Sequence, residues 1–287
     1  PRWIAEGMAD WVLACKPSAI VDPACGFGVL LDACRRRGYR GQLIGYEIDE
    51  GLVRRGREGY LGKPVIDIRC ADFLATPKDA IPAAIVNPPY NRFQRRELPA
   101  DIRLELAREA GLLVSGYTNQ YALFLYLVLT RLRSGGRAAF IVPSEFLATG
   151  YGVQVKKFLA TNRRLRHLIL FDTEDRVFPE AATTACVLLF EGEPTDALEV
   201  WHLSGVGDAP VYAELCGERS LRQADARIPY DQLDVESNWQ GLGCVDFDLK
   251  GFVALSEFGD VKRGIATGAN EFFVLKPSEA LKNGLTS

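Results

Sequence analysis

Two acidic residues stand at the ends of successive apolar runs, each in a setting suited to binding a polar ligand. The first is Asp22, which follows an apolar run at 19–21 and opens a turn at 22–28. Glycines at positions 26 and 28 would let the backbone of this turn pass close to a ligand. The second is Glu47, 19 positions after Gly28. Since dinucleotide-binding folds place the acceptor for ribose hydroxyls about 20 positions after their glycine-rich turn, Glu47 is a candidate for that role.

A third acidic residue, Asp72, ends the next apolar run. Its carboxylate could accept a hydrogen bond from an aromatic amino group, and Phe73 beside it could cover the ring. Each feature has a plainer alternative: a tight turn at 22–28, a helix cap at Asp49 with Glu47 simply exposed, and a turn aspartate beside a core phenylalanine. Three acidic residues at three successive strand ends nevertheless predict a nucleoside-binding site.

The fourth run ends in Asn87-Pro88-Pro89-Tyr90, which combines acceptors with an aromatic ring. Two prolines restrict the loop and remove two N–H donors, so the Pro88 carbonyl is left as an acceptor next to the Asn87 amide. An amino group on an aromatic ring is a poor nucleophile because its lone pair is delocalised. Two acceptors that hold its hydrogens can free that lone pair and align it with an electrophile. Tyr90 would stack on the base.

The remaining composition excludes several other chemistries. The seven cysteines are scattered without a Cys-x-x-Cys pair, which argues against a disulfide framework and predicts a reducing, cytoplasmic location. Only His167 and His202 are present, so we expect no metal site and no histidine-based nucleophilic catalysis. The longest apolar stretch, 121–132, is too short to cross a membrane, and we expect no membrane partner.

Basic residues cluster although the formal net charge is −3. Such clusters are typical of solvated helix faces, but together they would also suit a local face that binds phosphates. The clusters are Arg35, Arg36, Arg37 and Arg40; Arg92, Arg95 and Arg96; and Lys156, Lys157, Arg163, Arg164 and Arg166.

Alternating strands and helices would position these residues. Strands are predicted at 19–21, 43–46, 65–68, 83–86, 138–142, 168–171 and 185–190, and helices at 29–37, 52–58, 120–132 and 153–160. Ser134-Gly135-Gly136 is predicted to end the long third helix. The alternation predicts an α/β fold with a mostly parallel, doubly wound sheet, in which ligands bind at the carboxyl ends of the strands.

These motifs resemble those of the DNA N6-adenine methyltransferases of restriction–modification systems, and more narrowly their gamma class. The resemblance covers about residues 1–190 and 261–275, and rests mainly on the Asp-Pro-x-Cys-Gly-x-Gly form of 22–28 and on Asn-Pro-Pro-Tyr. It implies a Rossmann-like fold with S-adenosylmethionine as cofactor and double-stranded DNA as partner. It leaves open whether a nuclease domain or subunit accompanies the chain.

The resemblance also implies roles for individual residues. Asn87, Pro88 and Tyr90 would be catalytic, and Tyr90 and Phe178 would stack on the extruded base; for Phe178, core packing is the alternative. The residues implied to bind the cofactor are Asp22, Ala24, Gly26, Gly28, Glu47, Ile48, Asp72, Phe73, Asn87 and Pro89.

The same resemblance gives a domain division. Residues 1–193 would form the catalytic domain, 194–257 an irregular β-rich connector, and 258–287 the start of a target-recognition domain. Because that last domain is much longer in the family, we expect the natural polypeptide to extend beyond this sequence.

Other functions remain open at this point. Protein glutamine methyltransferases also use Asn-Pro-Pro-Tyr, but carry a helical domain where this chain has about twenty residues before Asp22. An RNA adenine methyltransferase is disfavoured by the segment at 261–275. A DNA-binding module that keeps the fold without turnover is disfavoured by the intact Asn-Pro-Pro-Tyr.

Overall fold

A computed structural model describes residues 1–60, 66–76, 79–90, 104, 108, 119–149, 152–171, 184–220, 222–244, 253 and 257–259. By its internal contacts the chain divides into two compact units, Pro1–Cys244 and Val245–Ser287. Every helix and strand below belongs to the first unit.

Within the described residues, nine strands form one sheet in the order β3-β2-β1-β4-β5-β7-β6-β8-β9. Strands β3, β2, β1, β4 and β5 run parallel, β7 is antiparallel to β5 and β6, β8 is parallel to β6, and β9 is antiparallel to β8. The strands are β1 Ala19–Asp22, β2 Gln42–Glu47, β3 Ile66–Cys70, β4 Ile81–Val86, β5 Leu132–Pro143, β6 Leu165–Phe171, β7 Ala185–Glu191, β8 Ala197–Leu203 and β9 Ala226–Pro229.

Helices cover both faces of this sheet. They are α1 Arg2–Ala14, α2 Val29–Arg36, α3 Glu50–Gly59, α4 Gln120–Arg131, α5 Val153–Asn162 and α6 Ala209–Cys216. One core holds α4 and α5 against the sheet, and the other holds α1, α2, α3 and α6. This is the predicted fold class, a doubly wound α/β sheet, and it is confirmed.

The long apolar helix and its end differ in detail from the prediction. Helix α4 is buried on all sides, as expected for a helix without a polar face. It ends at Arg131, and β5 begins at once at Leu132, so the predicted stop signal lies inside the strand. Gly135 there has a φ of 69°, and the pairing of β4 with β5 is irregular between Ile81 and Ala83. The glycines therefore lie in an irregularly paired part of β5 instead of ending the helix.

Four elements were absent from the sequence-based prediction: α1, β8, α6 and β9. Strands β8 and β9 continue the sheet past Glu193, and α6 packs beside α1 on one face. The proposed boundary at 193 thus falls between two strands of a single sheet, and the first compact unit runs on to Cys244.

Candidate active site

The first four strands bring the predicted residues to one edge of the sheet. Asp22 and Glu47 are the last residues of β1 and β2, Asp72 lies two positions beyond β3, and Asn87 directly follows β4. Because these strands are parallel neighbours, their carboxyl ends lie side by side. This edge is where doubly wound folds bind ligands.

The turn after β1 depends on two glycines in the left-handed region. Gly26 has a φ of 51° and Gly28 a φ of 81°, conformations that residues with a Cβ rarely adopt. The Gly28 N–H donates to the Cys25 carbonyl at 2.7 Å, and Gly28 caps α2. A Cβ at Gly28 would lie 3.1 Å from the Tyr60 ring, whereas a Cβ at Gly26 would project into open space. The opening beside Gly26 gives a ligand close access to the backbone.

Glu47 joins this turn to the end of β2. Its Oε2 accepts from the Gly26 N–H at 3.0 Å, and its Oε1 accepts from the N–H groups of Ile48 and Asp49 at 2.8 and 3.0 Å. A carboxylate offers about four acceptor sites, so one further hydrogen bond can still be made at Oε2. Glu47 is therefore positioned by three backbone donors and can still accept a ligand hydroxyl.

Asp22 is a carboxyl group removed from water. It is 1% exposed, and its Oδ1 accepts from the Ala24 N–H at 3.2 Å. Burial, the hydrogen bond from Ala24 and the negative charge of Glu47 together raise the pKa of Asp22 to about 8; burial and Glu47 raise it, and the hydrogen bond opposes them. The group is thus largely protonated at neutral pH, and its negative charge would be stabilised by a cationic ligand.

The helix cap at Asp49 and the turn aspartate beside a core phenylalanine are also present, although Glu47 is not simply exposed. Asp49 caps α3 by accepting from the Leu52 N–H at 2.9 Å, and Ile48 between it and Glu47 is exposed. Asp72 accepts from the Leu74 N–H at 3.1 Å and caps a short 3₁₀ turn. Phe73 is buried in the core, with its ring 5.4 Å from that of Tyr46. These capping and packing contacts hold the loops after β2 and β3 in place, independently of any bound ligand.

The loop after β4 presents an occupied acceptor. Asn87 is exposed and Pro88 is buried, while Tyr90 is 42% exposed. The Tyr90 hydroxyl donates to Asn87 Oδ1 at 2.7 Å and lies 3.4 Å from the Ile141 carbonyl of β5. Burial, with Cys186 and Glu145 nearby, raises the pKa of Tyr90 to about 12, so this hydroxyl remains a donor at neutral pH. Asn87 Oδ1 is therefore held by one hydrogen bond and, as an oxygen with two lone pairs, can accept a second.

Several predicted residues lie outside the described part of the chain. They are Phe178, the cluster of Arg92, Arg95 and Arg96, and the segment 261–275.

The other two basic clusters are largely engaged within the protein. Arg35 and Arg36 pair with Asp32, and Arg37 pairs with Asp10 through two hydrogen bonds of 2.6 and 2.8 Å. In the later cluster, Arg163 and Arg164 donate to backbone carbonyls, Arg166 pairs with Glu199, and Lys156 is buried. Sequence alone could not distinguish such structural cations from a surface that binds phosphates.

A charged cleft of about 750 Å³ lies away from this edge, near the start of β6. Its central acid, Glu199, lies 3.0 Å from Arg166, 3.2 Å from His167 and 3.9 Å from Arg227. These lining groups pair with one another. Among the described residues, no group of histidine, cysteine and acidic side chains could hold a metal ion, and no helix is long and apolar enough to span a membrane.

Sequence reading overlooked Ser144, which lies just beyond the end of β5 at this edge. The signal was available in the sequence, because Ser144 directly follows a strand as Asn87 does. Ser144 is buried and bonded to Thr184 and Gln240.

Comparison with known proteins is consistent with this arrangement. The family described as Eco57I restriction-modification methylase matches residues 79–178, which include the Asn87–Tyr90 loop. The type II methyltransferase M.AccI of Acinetobacter calcoaceticus is 31% identical over 288 residues, covering 98% of this chain and 53% of the relative. M.XamI of Xanthomonas campestris pv. amaranthicola is 26% identical, covering 96% and 52%. The chain thus spans about half the length of these curated relatives.

Solved structures share the fold at lower identity. The type I restriction–modification methyltransferase subunit from Streptococcus thermophilus aligns with a TM-score of 0.65 at 15% identity, over 80% of this chain and 55% of that one. A putative class I S-adenosylmethionine-dependent methyltransferase from Listeria monocytogenes aligns with a TM-score of 0.60 at 22% identity, over 76% and 69%. The chain therefore has the fold of S-adenosylmethionine-dependent methyltransferases, and it is similar in sequence to methyltransferases of restriction–modification systems.

Proposed function

We propose that this chain transfers a methyl group from S-adenosylmethionine to N6 of an adenine extruded from double-stranded DNA, as a gamma-class enzyme of a restriction–modification system. The observation that carries the proposal is the placement of Asn87 Oδ1. It lies at the carboxyl end of β4, next to the strand that carries Asp22, and accepts a hydrogen bond of 2.7 Å from the Tyr90 hydroxyl.

The residues at the ends of β1, β2 and β3 fit this cofactor. Glu47 has an acceptor site left for a ribose hydroxyl, and the open space beside Gly26 allows close approach. S-adenosylmethionine supplies a methyl group on a positively charged sulfonium, and the buried Asp22 offers a carboxyl group for the positive methionine part. Ala24 and Gly28 would line the same turn, Ile48, Asp72 and Phe73 would hold the adenine, and Pro89 would border the site.

The Asn87 and Pro88 oxygens would hold the two hydrogens of the adenine amino group. In the free protein the Tyr90 hydroxyl uses one of the two lone pairs of Asn87 Oδ1, which leaves the other to accept from the amino group. The Tyr90 ring would then stack on the base, a contact of about 1–3 kcal/mol that offsets part of the few kcal/mol needed to extrude the base. Because the loop 87–90 contains no cysteine, the transfer is direct and forms no covalent bond to the protein.

Double-stranded DNA is the proposed partner because the relatives are methyltransferases of restriction–modification systems. A nuclease domain or subunit is a further proposed partner. One solved structure with the same fold is described as a type IIG restriction endonuclease, BpuSI, with a TM-score of 0.65 at 20% identity.

The test is transfer of labelled methyl groups to unmethylated DNA, to RNA and to a protein substrate in parallel. We expect label only in DNA, at N6 of adenine. Asn87→Ala should lower turnover by at least about 100-fold, a loss typical of removing a positioned hydrogen-bond partner. Cofactor affinity, measured by calorimetry, should stay within about twofold. Tyr90→Phe is the matched control, because it keeps the ring and leaves Asn87 Oδ1 open. Near-normal methylation by Asn87→Ala would contradict the mechanism, and label in RNA or protein alone would contradict the substrate.

A further inference from the structure

The turn that follows β5, Ser144–Leu147, is held from two sides. On one side, the Ser144 N–H donates to the Thr184 carbonyl at 2.9 Å, and the two hydroxyl oxygens lie 2.6 Å apart. On the other, Gln240 Nε2 donates to the Ser144 carbonyl at 3.0 Å and lies 3.3 Å from its hydroxyl. The Gln240 amide therefore joins a distant part of the chain to the end of β5.

Gln240 is presented by a well-anchored segment, residues 234–241. Trp239 is fully buried, and its indole N–H donates to the Asp234 carbonyl at 2.8 Å. Lys156 on α5 donates to the Ser237 carbonyl at 2.7 Å and lies 3.4 Å from the Leu147 carbonyl. Because this lysine is only 1% exposed, its contacts keep the segment against the Ser144–Leu147 turn.

The same turn borders Tyr90. The Tyr90 hydroxyl lies 3.4 Å from the carbonyl of Ile141, three positions before Ser144. Glu145, the next residue after Ser144, is close enough to contribute to the raised pKa of Tyr90. A shift of the Ser144–Leu147 turn should therefore also move Tyr90. Among the hydrogen bonds of the described residues, none joins this turn or residues 234–241 to Glu47 or to the turn at 22–28.

We propose that Gln240 is a positioning residue for the target-base pocket, which holds Ser144 and thereby the wall of β5 against which Tyr90 rests. The proposal rests on the proposed function of Asn87 and Tyr90. It assigns residues 234–241, which the sequence presented as an irregular connector, a role in presenting the base to the cofactor.

The variant Gln240→Met tests this, because it keeps the shape of the side chain but removes the donor. The matched control is Thr195→Val, which removes a buried hydroxyl beyond β7, at the opposite edge of the sheet, whose one hydrogen lies between the carbonyls of Arg163 and Ala197. Because Gln240→Met loses both contacts of the amide with Ser144, it should lower kcat/KM for DNA by about tenfold. Most of that change should lie in KM for DNA, with cofactor Kd within about twofold. Thr195→Val should lower Tm by about as much as Gln240→Met does. Unlike Gln240→Met, it should leave kcat/KM for DNA within about twofold.

Hydrogen exchange gives a second readout that needs no turnover. Peptides covering 84–90 and 140–147 should exchange faster in Gln240→Met than in the unmodified protein or in Thr195→Val, while 22–28 should stay unchanged. Unchanged exchange in 84–90, or equal losses of kcat/KM in both variants, would overturn the role of Gln240. If the unmodified chain methylated no DNA, the proposed function would fail separately, and exchange would still decide the role of Gln240.

Discussion

At the scale of single residues, Asp22 is the side chain whose environment has the sharpest energetic consequence. Its pKa is raised by burial from 3.8 to about 8. Between these values the folded protein holds a proton that the unfolded chain releases. Because the folded state then binds more protons, the free energy of unfolding falls as pH rises through this window. A carboxyl group kept here at such a cost is expected to serve binding.

We therefore expect Asp22→Asn to be more stable than the unmodified protein above neutral pH. The amide oxygen can still accept from the Ala24 N–H, and no charge needs to be buried. Thermal unfolding from pH 5 to pH 9 should show an advantage in Tm that grows with pH. Calorimetry should show weaker binding of S-adenosylmethionine, because the counter-charge for its positive groups is gone. A constant difference in Tm across this range would show that Asp22 does not titrate there.

Much of the candidate site could be predicted from residue types, because parallel strands bring their carboxyl ends together. Asp22, Glu47, Asp72 and Asn87 all lie where the sequence indicated. What sequence could not show is how their hydrogen bonds are already used. Glu47 accepts three backbone N–H groups, and Asn87 Oδ1 is occupied by the Tyr90 hydroxyl. Such contacts depend on loop conformations that spacing alone does not fix.

At the scale of elements, the turn between β1 and α2 allows strain to be separated from binding. Gly26 and Gly38 both have a positive φ, of 51° and 95°, and a Cβ at either position would meet no protein atom within 4 Å. Alanine at either site should therefore cost about 1–2 kcal/mol of stability through the backbone alone. Only the Cβ at Gly26 would enter the proposed cofactor site.

We thus expect Gly26→Ala and Gly38→Ala to lower the free energy of unfolding by similar amounts in chemical denaturation. Gly26→Ala should also weaken cofactor binding by at least about tenfold, roughly 1.4 kcal/mol. Gly38→Ala is the control and should bind the cofactor normally. Equal cofactor affinity in the two variants would place the cofactor away from Gly26.

The elements that the sequence did not reveal are those whose patterns are overridden by packing. Helix α1 carries Gly7 in its interior, where glycine is unfavourable, yet a Cβ there would lie 2.2 Å from the Tyr212 ring. The glycine is explained by close contact between α1 and α6. Strand β8 lacks alternation because it is buried on both faces, and the charge of its Glu199 is paired with Arg166 at 3.0 Å. Partners distant in sequence decide both cases.

At the scale of the whole molecule, the positive charge available to bind DNA depends on which basic side chains are not already paired within the protein. The formal charge of −3 does not favour general binding to nucleic acid. Asp32 pairs with Arg35 and Arg36, and Asp10 pairs with Arg37. In the later cluster, Arg163 and Arg164 donate to backbone carbonyls and Arg166 pairs with Glu199. Arg92, Arg95 and Arg96 closely follow the Asn87–Tyr90 loop in the chain, so they are the cluster from which we expect phosphate contacts.

This expectation can be tested by the salt dependence of DNA affinity, since each phosphate contact contributes about −0.9 to the slope of log K against log salt concentration. Replacing Arg92, Arg95 and Arg96 together by glutamine should make the slope shallower by about two to three units. The matched triple replacement of Arg35, Arg36 and Arg37 should leave it nearly unchanged, because those side chains are already paired. Since phosphate contacts position a protein but base contacts specify a site, the contribution of these three arginines to binding should be nearly independent of DNA sequence. Titrating a panel of duplexes at several salt concentrations measures both the salt dependence and the sequence dependence of DNA affinity. A preference of a hundredfold or more for one short sequence would mean that base recognition already resides in these 287 residues.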